Sequence, residues 1–204
     1  MRKEYAPIEK LAHEQANGPL RFGNGNAKLS PGIFTFSLPA GHSCPFALAC
    51  LAKANRQDGT INDGRSARFR CYAATSEARH SSVRQSRWRN FSLLKSCGSK
   101  REMTRLILDS LSPFVRLCRV HDSGDYFSQR YFDAWVDVAR ARPETTFYAY
   151  LKALPYWVRR LRQVGNGHEP GTVSNLVLTA SVGGSRDDLI ASHGLRSARV
   201  VFMV

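Results

Sequence analysis

Residues 113–140 have the sequence PFVRLCRVHDSGDYFSQRYFDAWVDVAR and contain one complete strand–turn–helix unit. The apolar run at its start predicts a buried strand that ends near His121. Ser128 is placed to cap the helix that follows, in which apolar residues recur at helical spacing between Tyr131 and Ala139. A strand followed by an amphipathic helix is the repeating unit of α/β proteins.

The same pattern recurs along the chain. The other predicted strands are residues 32–41, 145–153, 175–184 and 198–204, and the other predicted helices are residues 75–95, 100–111, 155–164 and 186–193, the last capped by Ser185. Because strand, turn and helix repeat at intervals of about thirty residues, the strands must pair in parallel with the helices outside the sheet. We therefore expect an α/β fold, a partial (β/α) barrel of parallel strands with outer helices.

The domain organisation follows from length and composition. Residues 1–30 are polar and rich in Gly and Asn, which predicts an irregular N-terminal arm. Residues 31–204 are enough for one hydrophobic core, so we expect a single domain. An apolar strand at residues 198–204 would leave a parallel sheet with an uncovered edge, so we expect the native chain to continue beyond Val204.

The chain is strongly basic, with 30 Lys and Arg against 16 Asp and Glu and a net charge of +14. The basic residues are grouped, which favours a polyanionic partner, and nucleic acid is the partner we expect. The alternative is a solvated cationic face that only keeps the protein soluble. The predicted phosphate contacts are Arg87, Arg89, Arg159 and Arg160.

No apolar run reaches the length of about twenty residues that a membrane span requires, and the N-terminus lacks the apolar core of a signal peptide. We therefore expect a cytoplasmic protein with no membrane partner. In that compartment thiols stay reduced, so the five cysteines predict metal binding or burial rather than disulfides. The sequence gives no indication of the oligomeric state.

Polar residues follow each of the first four predicted strands, at the end where active sites form in parallel α/β folds. Their coincidence at several strand ends predicts an enzyme, although each could instead make a local pair or a turn. The residues predicted to contact substrate or act in catalysis are His121, Asp122, Tyr150 and Lys152.

Three cysteines, Cys44, Cys50 and Cys71, follow the first predicted strand. Three thiolates that leave one coordination position open suit a [4Fe-4S] cluster. Zinc bound by these cysteines and His42 is the nearest alternative, and simple burial of the thiols is a third. The two further cysteines are predicted to be buried thiols: Cys97 and Cys118.

Several long motifs, among them FTFSLPAGHSCPFALACLAKA, FRCYAATSEARHSSVRQSRWRNF and NLVLTASVGGSRDDLI, resemble the phage and plasmid family known as gene product 88. The resemblance extends from about residue 27 to the end of the chain. It implies a protein of phage or plasmid type.

A more distant resemblance is to radical S-adenosylmethionine enzymes, which have a thiol-bearing loop after the first strand and a glycine-containing turn after the second. It implies a [4Fe-4S] cluster on the three cysteines, which delivers one electron to bound S-adenosylmethionine, and Asp125 as the group that orients the cofactor's amino group. The spacing C-x5-C, with the third cysteine 21 residues further on, departs from the C-x3-C-x2-C of that superfamily. The implied cofactor-binding residues are Ser123, Gly124, Asp125 and Ser181.

Two alternative functions remain at this stage. The segment HDSGDYF is similar to the Asp-Ser-Gly-Gly-Phe segment of tRNA-guanine transglycosylase barrels, which implies a base-modifying enzyme with Asp122 as the acting aspartate. The other alternative is a non-catalytic nucleic-acid-binding protein in which zinc on the same cysteines holds a long loop together.

Overall fold

The computed structural model describes residues 19–26, 28–163 and 173–199, in which one six-stranded sheet and six helices form the main body. The strands of this sheet are β1 (Phe22–Asn26), β2 (Leu29–Ser37), β5 (Leu117–Ser123), β6 (Thr146–Leu151), β7 (Leu176–Ser181) and β8 (Ser197–Ala198). A separate two-stranded sheet consists of β3 (Ala52–Ala54) and β4 (Ile61–Asp63). The helices are α1 (Tyr72–Arg79), α2 (Ser81–Ser96), α3 (Lys100–Ser110), α4 (Gln129–Ala141), α5 (Leu154–Gln163) and α6 (Asp188–Ser192).

The main sheet has the order β1-β2-β5-β6-β7-β8. Strand β1 pairs with β2 antiparallel, and all other pairs are parallel. Each parallel strand therefore lies beside the next one along the chain, and a helical crossover separates the two. Neighbouring crossover helices also touch, α3 on α4, α4 on α5 and α5 on α6. The predicted α/β class with a mostly parallel sheet is confirmed, and within the described residues the sheet is open, with β1 and β8 at its edges.

The core lies between the sheet and the crossover helices. Trp135 of α4 is fully buried and packs on Phe36 of β2 and Phe147 of β6, with ring centroids 5.5 and 5.8 Å apart. The predicted cap of this helix is confirmed, because the Ser128 hydroxyl accepts a hydrogen bond of 3.2 Å from the Tyr131 N–H. The apolar stripe of α4 is thus the face that covers the sheet.

Three local predictions differ from the structure. Part of the expected irregular arm, residues 22–26, is an edge strand, while residues 1–18 lie outside the described residues. The helix predicted over residues 75–95 is two helices, because His80 is extended (φ −124°, ψ 103°). The last predicted strand is described only at its start, as β8, and residues 200–204 lie outside the described residues.

The predicted helix cap at Ser185 is also wrong. The Asp187 carboxylate instead accepts hydrogen bonds from the N–H groups of Gly183 and Gly184, at 2.7 and 3.0 Å, and Asp187 precedes α6. The Ser185 N–H donates to the Phe46 carbonyl at 2.9 Å. The turn after β7 is therefore closed by an aspartate rather than a serine.

Among the helices of the described ranges, none is both long and apolar enough to span a bilayer.

A buried ion pair connects four segments beside the sheet. Glu77 of α1 is fully buried, and its Oε1 atom accepts hydrogen bonds from Arg87 of α2 at 2.9 Å and from the Ala40 N–H at 2.8 Å. The Ser123 hydroxyl, at the end of β5, lies 3.3 Å from the same oxygen. Arg87 also donates to the Ala73 carbonyl at 2.9 Å. One carboxylate thus holds α1, α2, the segment after β2 and the end of β5 together.

We expect Glu77→Gln and Arg87→Met each to lower the free energy of unfolding by about 3–5 kcal/mol, because each leaves the partner charge buried without compensation. The double variant should lose less than the sum of the two losses. Urea unfolding followed by circular dichroism measures these values. Arg105→Met, at an exposed pair with Asp109, is the matched control and should change little. Additive losses at Glu77 and Arg87 would contradict the coupling.

Candidate active site at the carboxyl ends of the strands

A cavity of about 430 Å³ lies at the carboxyl ends of the central parallel strands. The ends of β5, β6 and β7, the segment after β2 and the start of α1 line it. Its lining includes every residue predicted to act in catalysis or cofactor binding and the three cysteines predicted to bind a cluster: Cys44, Cys50, Cys71, His121, Asp122, Ser123, Gly124, Asp125, Tyr150, Lys152 and Ser181. Parallel strands bring these residues together because their carboxyl ends meet at one edge of the sheet.

The loop Cys44–Cys50 crosses over the sheet from β2 to the turn after β7. The Ala49 N–H donates to the Gly183 carbonyl at 2.9 Å, and Ala47 forms an isolated antiparallel bridge with Gly184. Both cysteines at the ends of this loop line the cavity. The loop therefore forms one wall of the cavity.

Cys71 reaches the same cavity from a distant part of the sequence. The N–H groups of Arg68 and Phe69 donate to the Ala49 carbonyl at 2.7 and 3.2 Å, which attaches the approach to Cys71 to the loop Cys44–Cys50. Cys71 is the residue before the first turn of α1.

The three thiols interact electrostatically. Burial raises the pKa of Cys44, and the nearby charges of Asp125, Cys71 and Cys50 raise it further. Burial also raises the pKa of Cys50, where the Lys152 ammonium acts in the opposite direction. The Cys44 and Cys50 thiols stay protonated unless a cation compensates their charge, and a metal that binds them must displace their protons.

The remaining cysteines lie elsewhere. Cys118 is fully buried within β5, as predicted, and burial raises its pKa. Cys97 is half-buried at the end of α2 and donates to the Leu93 carbonyl at 3.4 Å. Neither is in the lining of the cavity.

His42 does not join the three thiols. Its Nε2 atom lies 3.0 Å from the Ala54 carbonyl, its ring packs on Trp88 at 4.8 Å, and it is not in the lining of the cavity. In the part of the chain that the structure describes, no three His, Cys, Asp or Glu side chains form a group that could hold a metal ion. His42 therefore lies apart from the three cysteines with which the zinc alternative groups it.

Asp125 connects the loops that follow β5 and β6. Its Oδ1 atom accepts from the Tyr126 N–H at 2.7 Å, and Oδ2 accepts from the N–H groups of Lys152 and Ala153 at 2.7 and 3.0 Å. Burial raises the pKa of Asp125 from 3.8 to about 6, although these N–H groups act against the shift. Both carboxylate oxygens are thus already engaged by backbone groups, which makes Asp125 a positioning residue for Lys152.

Ser123 and Gly124 have similar structural roles. The Ser123 hydroxyl donates to the Leu38 carbonyl at 2.9 Å. Gly124 has φ 87°, and a Cβ there would lie 2.5 Å from the Ser43 hydroxyl oxygen and 2.7 Å from the Leu38 Cβ. A glycine is therefore required where β5 turns beneath the cavity.

His121 lies at an irregularity in β5. The register with β2 passes from Phe36 opposite Val120 to Ser37 opposite Ser123, and His121, with φ 68°, is the one non-glycine residue of the described ranges with positive φ. Its ring is buried, with Nε2 3.0 Å from the Tyr131 hydroxyl, and burial lowers its pKa to about 3. The imidazole is a neutral core group, so the predicted substrate contact at His121 is not favoured. The bulge instead directs the following residues toward the cavity.

Lys152 and Ser181 form a polar pair across the cavity. The Lys152 ammonium donates to the Ser181 hydroxyl at 2.7 Å, and these residues follow β6 and end β7 respectively. The ammonium also opposes the rise in the pKa of Cys50 that burial causes. The positive charge of Lys152 thus favours the thiolate form of Cys50, against the effect of burial.

The outer part of the cavity contains the predicted Tyr150 together with Tyr72, Lys28 and Arg119, which the sequence did not single out. Tyr72 is 57% exposed and Tyr150 is 45% exposed. Lys28 lies over the Tyr72 ring at 5.6 Å and Arg119 over the Tyr150 ring at 5.7 Å. Arg119 also pairs with Asp122 at 3.3 Å. Only the position of Tyr72, directly after Cys71, could have indicated from the sequence that Tyr72 lies at the cavity.

The predicted phosphate contacts are separate from the cavity, because none of the four arginines lines it. Arg87 is wrong as a phosphate contact, since it is buried and paired with Glu77. Arg89 is exposed and donates to the Pro19 carbonyl at 2.9 Å, while Arg159 is exposed and Arg160 half-buried on α5. Three of the four thus remain accessible at least in part.

We expect Asp125→Asn to lower the free energy of unfolding by about 1–3 kcal/mol, because one of the three N–H groups loses its acceptor. Because the folded protein raises this pKa from 3.8 to about 6, the stabilising contribution of Asp125 falls as pH rises through that range. The loss on substitution should therefore be larger below about pH 5 than above about pH 7. Urea unfolding at the two pH values measures it.

The control for this experiment is Asp109→Asn, which changes an exposed aspartate on α3. Its effect should be small, because this carboxylate is exposed. A loss for Asp125→Asn that grows with rising pH would contradict the assigned direction.

Comparisons with known proteins give a family and no structural neighbour. A family model described as Gene product 88 matches residues 9–204. The chain is 29% identical over 141 residues to the Gene 88 protein of Mycobacterium phage L5, which covers 64% of this chain and 51% of that protein. It is 28% identical over 141 residues to the Gene 88 protein of Mycobacterium phage D29, with 64% and 50% covered. The chain thus spans about half the length of these relatives, and no solved structure matches it significantly.

Proposed function

This chain belongs to the Gene product 88 family, and we propose that it is an iron–sulfur protein with a [4Fe-4S] cluster on Cys44, Cys50 and Cys71. The observation that supports the proposal is the convergence of three thiols from two distant segments on one cavity, while the other two cysteines lie outside its lining. Burial and the neighbouring thiols raise the pKa of Cys44 and of Cys50, so thiolates at these two positions without a bound cation would be unfavourable. A cationic metal centre compensates that negative charge.

A cluster requires its thiol ligands to approach one another less closely than a single zinc ion does. A single zinc ion needs its sulfur donors about 2.3 Å from one point, and the described residues form no such group of three. A cluster places its own iron and sulfide atoms between the cysteines, so its ligands lie further apart than those of one ion. Three thiolates would leave one iron of a four-iron cluster without a cysteine ligand.

The enzyme we propose is of the radical S-adenosylmethionine type, on a partial (β/α) barrel. The consecutive order of parallel strands supports this architecture, and the site at their carboxyl ends is where such folds act. When bound, the cluster would supply one electron to S-adenosylmethionine and so start radical chemistry on a substrate. Lys152 and Ser181 would bind a polar group of the bound molecules, and the loop Cys44–Cys50 would exclude water.

The roles of two residues differ from those that the resemblance implies. Asp125 would not orient the amino group of the cofactor itself, because backbone N–H groups engage both of its oxygens. It would fix the position of Lys152 instead. Ser123 would likewise hold the backbone beneath the cavity rather than bind the cofactor.

The transglycosylase alternative has less support. Asp122 lines the cavity, but its carboxylate pairs with Arg119 and its carbonyl accepts a hydrogen bond from the Tyr72 hydroxyl. These contacts give Asp122 a role in shaping the wall of the cavity.

The reduced thiols that the cluster requires are typical of the cytoplasm, where we propose that the protein acts on nucleic acid or a nucleotide.

We expect protein purified without oxygen, or reconstituted with iron and sulfide, to be brown, with a broad absorbance near about 400 nm. Cys44→Ala, Cys50→Ala and Cys71→Ala should each remove most of the bound iron, whereas Cys97→Ala should retain it. Iron and sulfide analysis with the absorption spectrum measures this. Iron loading should also fall as pH is lowered, because the thiols must lose protons to bind.

Two outcomes would contradict the iron–sulfur proposal. One is a colourless protein with zinc that depends on the same three cysteines, which would indicate the zinc-held nucleic-acid-binding protein. The other is a metal content that none of the three substitutions changes, which would indicate that the thiols are only structural.

For the basic surface, we expect affinity for nucleic acid that falls steeply with added salt, because binding releases counterions. Arg89→Ala and Arg159→Ala should each reduce the slope of log affinity against log salt by about 0.7–0.9 for every phosphate that the variant no longer neutralises. Fluorescence anisotropy with a labelled oligonucleotide measures the slope. Salt-independent binding would contradict the assignment of these arginines.

A further inference from the structure

The rim of the cavity concentrates exposed apolar side chains. Among the described residues, the large hydrophobic side chains that are exposed number four: Leu48, Tyr72, Phe114 and Tyr150. Tyr72 and Tyr150 line the cavity, and Leu48 belongs to the loop Cys44–Cys50 that forms its wall. Phe114 lies apart from the lining. Exposed aromatic rings at a cavity mouth indicate a ligand with flat apolar faces.

The two tyrosines are held at the same strand end. The Tyr72 hydroxyl donates to the Asp122 carbonyl, at the end of β5. Arg119, also in β5, pairs with the Asp122 carboxylate and lies over the Tyr150 ring. The Arg119–Asp122 pair therefore connects the two rings, whose faces stay accessible in part.

The charge of the lining favours an anion. Five cationic residues line the cavity against the carboxylates of Asp122 and Asp125: Lys28, Arg70, Arg119, Lys152 and Arg199. Arg70 is occupied by Asp63 and Arg119 by Asp122. Arg199 is exposed and has no acidic partner within the described ranges. A phosphate at the rim would find uncompensated positive charge at Arg199.

We propose that this rim binds an unpaired nucleotide of a single-stranded nucleic acid, with its base on Tyr72 or Tyr150 and its phosphate near Arg199. Aromatic side chains stack on unpaired bases, whereas the bases of a duplex are already stacked on one another. The cavity volume of about 430 Å³ lies in the range of sites that hold one small ligand. The strand would continue over the basic surface of the protein, whose net charge is +14.

The proposal rests on the proposed function only in placing the nucleotide beside the cluster. Binding itself uses the tyrosines and cations of the rim. The two claims can therefore fail separately, because iron content tests one and oligonucleotide affinity tests the other.

The test measures the affinity of the full chain for fluorescein-labelled oligothymidylate of about 12 nucleotides by anisotropy. We expect tighter binding of this strand than of a duplex of equal length. Tyr150→Ala and Tyr72→Ala should each weaken strand binding by about fivefold or more, the loss expected for one stacked base. Tyr150→Phe keeps the ring and should retain the affinity.

Matched controls use residues away from the cavity. Phe114→Ala removes an exposed aromatic ring and should leave the affinity unchanged. Arg199→Ala should lower the salt dependence of strand binding by about 0.7 in log–log slope, while Arg101→Ala, on the exposed face of α3, should not. The same measurements on protein without iron should give the same pattern.

Three results would overturn the proposal. The first is equal affinity for the strand and the duplex. The second is an effect of Tyr72→Ala and Tyr150→Ala no larger than that of Phe114→Ala. The third is a free thymidine monophosphate that binds as tightly as the strand, which would indicate a mononucleotide site.

Discussion

The arrangement of the cavity depends on the buried ion pair between Glu77 and Arg87. The Glu77 carboxylate receives hydrogen bonds from Arg87 and from the Ala40 N–H, and the Ser123 hydroxyl lies within reach of the same oxygen. These bonds fix α1, which begins just after Cys71, against the segment that leads to Cys44. A buried charge stays in place only if its partners stay too, because breaking the pair leaves an uncompensated ion. The two thiol-bearing segments are therefore held in one arrangement by a group that is not in the lining of the cavity.

Asp125 has the corresponding role on the other side. Its carboxylate accepts hydrogen bonds from the N–H groups of Tyr126, Lys152 and Ala153, which attaches the loop after β5 to the loop after β6. Lys152 is thereby placed to donate a hydrogen bond to the Ser181 hydroxyl and to oppose the rise in the pKa of Cys50 that burial causes. Two buried carboxylates thus organise a cavity whose own reactive groups are thiols and an ammonium. This division is typical of sites in which supporting groups orient the ones that bind.

The electrostatics of the cavity are the reason that we propose a metal centre in one part of it and an anionic ligand in another. In the inner part, burial raises the pKa of Cys44 and Cys50, so the thiols need a cation before they can lose their protons. In the outer part, Lys28 and Arg119 lie over tyrosine rings and Arg199 is exposed, an arrangement suited to a phosphate and a base.

The sequence alone determined the α/β class, the parallel pairing and the set of residues at the strand ends, because apolar periodicity and parallel topology depend on local pattern. It was sufficient for the Ser128 cap and for the burial of Cys118. It could not distinguish Arg87 from Arg89, since both are basic residues in one cluster and only packing buries one beside Glu77. Nor could it show that His121 turns into the core while Tyr72 and Tyr150 face the rim. The direction of a side chain at a strand end depends on bulges, on glycine turns and on interactions between residues far apart in the chain, and those are set only when the tertiary structure forms.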